Sequence, residues 1–240
     1  MSTLKRTLEL GLWGFGAATP LWAPIVLMYV LGNPWVSDRF GPVLEALLSK
    51  ITGISGTLAP MSDAIVQMAL WALFEPAFVI TGAVGVVAVA GRKQLGFGLL
   101  GRVLLAAPVG LLLAMVIILG WQILIPGLMC EIIFCYVVVS IVAAADGQRL
   151  KSFIHPWMSH PVLSGVLLLA TGVANVVVAT LLPFLLYGAD GALNVLMGTT
   201  EGLPMWVLGT LDVSSAIVCI LSSCLFAALV VHSDQAGGLP

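Results

Sequence analysis

The chain has 240 residues, of which 60% are hydrophobic and only 8% are charged, and its mean hydropathy is +1.15. A water-soluble domain carries roughly 25% charged residues because it must present a hydrated surface, so this composition excludes one and indicates a membrane protein. The net charge of −2 and the lack of a basic block with interleaved aromatic residues argue against nucleic-acid binding.

Six apolar stretches are near or above the roughly 20 residues that a helix needs to cross a bilayer. They cover residues 8–31, 64–89, 103–120, 128–145, 162–187 and 205–231. The first follows Lys5 and Arg6, but it is too long for a signal peptide and no A-x-A cleavage site closes it convincingly, so it is interpreted as a retained span. Because a spanning segment must satisfy its own backbone groups, the spans are predicted as helices. The expected fold is all-α, a single polytopic membrane domain of about six helices.

The basic residues are distributed unevenly over the loops. Only Arg39 and Lys50 fall in the first and other odd-numbered loops, whereas seven fall at the N-terminus or in the second and fourth loops. These seven are Lys5, Arg6, Arg92, Lys93, Arg102, Arg149 and Lys151. Cytoplasmic loops are enriched in lysine and arginine, so both ends are predicted in the cytoplasm, and the expected location is a bacterial inner (plasma) membrane.

The first outer loop, residues 32–63, is the only long one. Within it, residues 42–54 place Val43, Leu47 and Ile51 at helical spacing. This pattern predicts an amphipathic helix that either lies in the outer interface or folds over the bundle.

Glu75 is the most informative residue of the sequence. It lies about eleven residues into the second span, near mid-membrane, and Pro76 follows it directly. A carboxyl group there costs at least ~2.5–3.5 kcal/mol on insertion scales and usually faces the bundle interior, while the proline frees a backbone carbonyl one turn back. Such a site could coordinate a cation or relay a proton. The alternative is a neutral Glu75 that only joins two helices through a hydrogen bond.

Two further residues complete the candidate intramembrane site. Asn175 lies at a similar depth in the fifth span and is the natural partner of Glu75, since no lysine or arginine lies in the hydrocarbon region. Asp212 lies about seven residues inside the outer end of the sixth span. A path from Asp212 to Glu75 would form a half-channel open to the outside.

The four cysteines form two pairs with the same spacing, Cys130-x4-Cys135 and Cys219-x4-Cys224. The repeated spacing indicates a weak helical-hairpin repeat of the kind seen in transporters. The stretch Gly-Leu-Met-Cys-Glu-Ile-Ile-Phe-Cys-Tyr is slightly similar to the cysteine-bearing span of vitamin K epoxide reductase-type oxidoreductases, which implies a thiol-redox enzyme. That family needs C-x-x-C and loop cysteines, and the first outer loop has none.

His155, Trp157 and His160 lie at the cytoplasmic entry to the fifth span. They are interpreted either as an interfacial segment with its tryptophan at headgroup level or as a docking surface for a cytoplasmic partner. No P-loop or H-E-x-x-H motif occurs, and no pair of histidines is predicted within facing spans as a b-type haem would need, so no catalytic residue, cofactor or metal site is predicted.

The sequence therefore ranks classes of function without naming a substrate. The first is a transport-type protein for a small solute or ion, alone or as the membrane part of a larger carrier, linked to protons or cations through Glu75. The second is a non-catalytic membrane subunit of a secretion or respiratory assembly, and the third is the thiol-redox enzyme. The expected partners are the lipid bilayer and either other membrane subunits or further copies of the chain.

Overall fold

The computed structural model describes residues 3–53, 59–90, 160–196 and 204–237, and every element in these ranges is a helix. The helices are α1 (Thr3–Ala17), α2 (Thr19–Thr52), α3 (Ala59–Val89), α4 (Pro161–Leu196) and α5 (Met205–Gly237). The predicted spans 103–120 and 128–145, and with them the second hairpin of the predicted repeat, lie outside the described residues.

Two helices are long and apolar enough to cross a membrane, over Ile65–Val89 and Met205–His232. A third crossing is available if the bent pair of α1 and α2 forms one span. Helix α4 holds two shorter apolar stretches, and its path breaks at Gly188, where φ is 77° and ψ is −166°. By length and composition the described helices are compatible with a membrane protein.

Helices α1 and α2 meet at an angle of 65°, inside the predicted span 8–31. The physical reason is Pro20 in the first turn of α2, because a proline cannot donate a backbone hydrogen bond and its ring excludes the carbonyl one turn earlier. The indole N–H of Trp22 donates to the carbonyl oxygen of Phe15 at 3.1 Å, and the two rings stack with centroids 5.0 Å apart. The bend is therefore held by side chains from both of its sides.

Helix α2 continues well beyond the end predicted for the first span. It has 34 residues, which corresponds to about 51 Å at 1.5 Å per residue. Gly53 ends it in the left-handed conformation (φ 68°), and the Gly53 N–H donates to the carbonyl oxygen of Ser49 at 3.0 Å. The sequence around Pro34 was expected to begin a loop, but membrane helices tolerate interior prolines, and α2 passes through this one.

The predicted loop 32–63 and its separate helix 42–54 are therefore replaced, as far as Thr52, by the second half of α2. The predicted apolar face of this part is present. Val43, Leu47 and Ile51 are all more than half exposed, so this face does not fold back over the bundle.

Contacts along α5 give the direction of the helices. Near the start of α5, Asp212 is hydrogen-bonded to Asn33 of α2. Further along, Leu225 lies against Gly11 of α1. The α1–α2 pair therefore runs opposite to α5. We call the two ends of the bundle the Asp212 end and the Arg6 end.

Helix α3 runs in the same direction as α5. Its Phe78 packs on Tyr29 of α2, with ring centroids 5.8 Å apart, and Gly85, further along, contacts Gly14 of α1. Helix α3 thus runs from the Asp212 end to the Arg6 end, parallel to α5.

Helix α4 begins at the Arg6 end, because His160 just before it stacks on His232 of α5. Ala90, at the end of α3, lies toward the same end.

The core forms where α1, α3 and α5 approach each other at small residues. A methyl group at Gly85 would collide with the carbonyl oxygen of Gly14, and one at Gly82 would lie 2.7 Å from the carbonyl oxygen of Ile220. The Ser223 hydroxyl donates to the carbonyl oxygen of Val79 in the same interface. Small residues let helix backbones approach closely in the way typical of membrane bundles.

We expect Gly85→Ala to destabilise the protein by roughly 1–3 kcal/mol, because the added methyl group must displace the backbone of α1. Gly16→Ala is the matched control, since nothing lies within 4 Å of a methyl group built at Gly16. The measurement is thermal unfolding of both purified variants in detergent, followed by circular dichroism. Equal melting temperatures would contradict the proposed packing of α1 on α3.

Candidate functional site

Asp212 lies on the face of α5 that meets α2, and both of its oxygens accept hydrogen bonds from α2. The side-chain amide of Asn33 donates to Oδ2 at 2.9 Å, and the hydroxyl of Tyr29 donates to Oδ1 at 3.3 Å. Tyr29 is 4% exposed and Asn33 is 9% exposed. A carboxyl group is thus held between two helices by neutral donors.

Aromatic rings surround the ring of Tyr29 and fix its position. Trp71, Phe74 and Phe78 of α3 lie with ring centroids 5.4–5.8 Å from that of Tyr29. Edge and tilted arrangements at these distances are favourable for aromatic pairs. Because the ring is fixed by α3, the Tyr29 hydroxyl remains directed at Asp212.

The polar side of α2 extends outward from this site. Tyr29, Asn33 and Ser37 are spaced four residues apart and therefore share one face of the helix. Within the described part of the chain, no hydrogen-bond partner is found for Asn33 Oδ1 or Ser37 Oγ, although both atoms are buried. Buried polar atoms of this kind are ordinarily satisfied by protein, water or an ion. The face therefore offers one oxygen acceptor on Asn33, which contacts the Asp212 carboxyl group, and a second on Ser37, one turn further along α2.

Glu75 is fully inside the bundle, with 1% of its surface exposed. It shares a face of α3 with Val79 and Gly82, four and seven residues later, and both of these contact α5. Val79 of α3 lies level with Ser223 of α5, and the two helices run in the same direction. Glu75, four residues before Val79, is therefore level with Cys219, and Asp212 lies about 10 Å further along the bundle at 1.5 Å per residue. Glu75 thus lies on the face of α3 that meets α5, the helix that carries Asp212.

The pairing of Asn175 with Glu75 stays a prediction. Helix α4, which carries Asn175, packs against α5, whereas Glu75 lies on α3, which packs against α1, α2 and α5. The side chain of Asn175 lies outside the described residues. The partner that α2 supplies to the acidic site is Asn33, which the sequence had assigned to a loop.

The described cysteines occupy packing positions. Cys219 and Cys224 are buried, 5% and 0% exposed, and the Cys224 thiol donates to the carbonyl oxygen of Gly82 at 3.3 Å. Cys130 and Cys135 lie outside the described residues. The pair on α5 is thus placed as small, buried side chains between helices, which is the usual role of membrane cysteines.

The predicted docking segment is described only at its last residue. His155 and Trp157 lie outside the described residues, and His160 stands immediately before α4. The His160 ring stacks on His232 with centroids 6.4 Å apart and an angle of 9° between the planes. His160 therefore lies at the Arg6 end, far from the acidic site.

Tyr29 and Asn33 are the two site residues that the sequence analysis missed. A signal was present, because two polar groups four residues apart in an apolar stretch indicate a polar helix face. It was lost when the first span was ended at residue 31, before Asn33.

The chemistry of the site is that of a buried carboxyl group with hard oxygen neighbours. No lysine or arginine among the described residues forms an ion pair with Asp212, and no three His, Cys, Asp or Glu side chains within those ranges come together as a metal site. The oxygens of Asp212, Tyr29 and Asn33 can bind a proton or a hard monovalent cation.

Comparison of the chain with protein families, with curated proteins and with solved structures gives no match in any of the three.

We expect the Asn33–Asp212 hydrogen bond to contribute about 0.6–1.7 kcal/mol, from the average to the largest coupling that double-mutant cycles give for interhelical hydrogen bonds in a membrane protein. A double-mutant cycle of Asn33→Ala and Asp212→Ala measures this coupling as the free energy of unfolding in mixed detergent micelles. A parallel cycle of Tyr29→Phe and Asp212→Ala should give a smaller coupling, since that contact is longer. Strictly additive effects in the first cycle would contradict the contact.

Proposed function

We propose that the protein is a transport-type membrane protein that moves a small solute or ion, with transport linked to a proton or cation at Asp212 and Glu75. The observation that carries the proposal is the Asp212 carboxyl group, held inside a bundle of apolar helices by Asn33 and Tyr29. Acidic residues inside membranes are costly, and they commonly mark ion or proton pathways.

The neutral donors around Asp212 support this reading. A carboxylate whose only role is to join helices is best compensated by a lysine or arginine, and none of the described ones pairs with Asp212. Two hydrogen bonds from neutral groups orient the carboxyl group but leave its negative charge without a counter-charge. A bound proton or cation would supply that charge. Because Asn33 and Tyr29 hold the carboxyl group in place, the proton or cation can also dissociate from it.

The residues around Asp212 suggest a route. Ser37 and Asn33 lead from the Asp212 end toward the carboxyl group, and Glu75 lies about 10 Å deeper at 1.5 Å per residue. In the proposed topology both chain ends face the cytoplasm, so the Asp212 end faces outward. The route is then a half-channel from the outside to mid-membrane, in a bundle of six spans in a bacterial inner membrane.

A second candidate is a non-catalytic subunit of a larger membrane assembly. Its support is the outer face of α4, where apolar residues are exposed at intervals from Val162 to Leu185. These residues are Val162, Val166, Leu169, Val173, Val177, Leu181, Phe184 and Leu185. Such a face suits lipid, a further copy of the chain or another subunit.

The test uses the full chain in proteoliposomes adsorbed to a solid-supported membrane, where a rapid jump in pH or in sodium concentration is applied. We expect a transient charge displacement that is lost in Asp212→Asn and reduced in Glu75→Gln, because each substitution removes a group that binds the proton or cation. Asp38→Asn is the matched control, since Asp38 is an exposed acid of α2 toward the Asp212 end and its replacement should leave the signal unchanged.

A wild-type protein that gives no displacement with protons, sodium or potassium would overturn the transport proposal. Native mass spectrometry after gentle extraction from the membrane then tests the second candidate. Stoichiometric retention of other subunits would support it, and a chain recovered alone would count against it.

A further inference from the structure

A cavity of about 490 Å³ opens at the Arg6 end, between the start of α1 and the start of α4. Its lining consists of Thr3, Leu4, His160, Pro161, Val162, Leu163 and Val166. The volume falls within the roughly 300–1,000 Å³ typical of small-molecule sites. Most of the lining is aliphatic, so the interior suits a hydrocarbon chain better than a polar metabolite.

Two histidines and an arginine from three parts of the chain lie toward this end. His160, which lines the cavity, stacks on His232 of α5, and Arg6 of α1 lies close enough to act electrostatically on His232. The neighbouring Lys5 is paired with Glu9, with Nζ to Oε1 at 3.9 Å. No ion pair of Arg6 with an acid is found within the described ranges, so its charge is available to an anion.

The start of α4 adds to the positive potential. The first turn of a helix leaves backbone N–H groups without intrahelical acceptors and carries the positive end of the helix dipole. Val162 and Leu163 belong to that turn and also line the cavity. An anionic group near His160 would therefore meet both side-chain and main-chain donors.

The apolar surface continues away from the basic cluster along the outside of the bundle. Val162 is 78% exposed and Val166 is 52% exposed, one turn further into α4, while Leu4 of α1 is 45% exposed on the facing side. A groove that is basic at the end of the helices and aliphatic toward their middle matches the polarity of a phospholipid. A free phosphate ion would use the basic part and leave the aliphatic part empty.

We propose that this cavity binds one anionic phospholipid, with its phosphate at Arg6, His160 and His232 and an acyl chain along Leu4, Val162 and Val166. Basic pockets between helices on the cytoplasmic side of a membrane bind anionic headgroups, and the Arg6 end is the cytoplasmic end of the proposed topology. The site lies at the opposite end from Asp212. It depends on the placement of the chain in a membrane and is independent of the transport proposal.

The test is native mass spectrometry of the purified full chain after incubation with equimolar phosphatidylglycerol and phosphatidylcholine. We expect one phosphatidylglycerol to be retained in preference to phosphatidylcholine. Arg6→Gln should weaken that preference by about fivefold, the effect of one basic residue near a membrane surface, and Arg6→Gln with His232→Gln should weaken it further. Lys50→Gln, an exposed lysine at the far end of α2, is the matched control and should change nothing.

A second variant tests the aliphatic half of the site. Val162→Trp adds bulk at an exposed position of the cavity wall without entering the core, and it should lower retention of phosphatidylglycerol while the basic cluster stays intact. Unchanged circular dichroism of each variant shows that it is folded.

Two outcomes would overturn the proposal. One is a wild-type preference for phosphatidylglycerol that is either absent or unchanged in Arg6→Gln with His232→Gln. The other is displacement of phosphatidylglycerol by millimolar inorganic phosphate together with full retention in Val162→Trp, which would make the cluster a site for free phosphate.

Discussion

The close approach of α1 to α3, where Gly14 meets Gly85, is the contact on which the other contacts of the bundle depend. It brings two backbones together with no side chain between them, so dispersion contacts and helix dipoles act at short range. With α1 fixed in this way, the bend of 65° at Pro20 sends α2 across the front of α3 and α5. A straight continuation of α1 would carry Tyr29 and Asn33 away from α5.

The acidic site is a consequence of that path. Asp212 belongs to α5, its donors belong to α2, and the rings that hold Tyr29 in place belong to α3. No single helix contains the site, and a change in the angle between α1 and α2 would separate its parts. In an apolar interior this matters, because an aspartate without donors there would carry the full cost of desolvation.

The two ends of the bundle differ in chemistry. The Asp212 end gathers a carboxyl group with amide and hydroxyl groups, whereas the Arg6 end gathers one arginine and two histidines beside an aliphatic cavity. This separation follows from the helix directions, since the first turn of α1, the start of α4 and the end of α5 meet at one end.

Composition and apolar run length by themselves determined that the chain is helical and apolar enough for a membrane. A run of about 20 apolar residues can satisfy its backbone hydrogen bonds in lipid only as a helix. They also pointed to Glu75 and Asp212, since an acid within an apolar run is visible without a structure. The end of α2 was misjudged, because an interior Pro34 looks the same in sequence whether a helix stops or continues. The partners of Asp212 were decided only by tertiary structure. Asn33 and Asp212 are 179 positions apart, and such a contact depends on bend angles and on backbone approach at glycines, which local residue patterns do not encode.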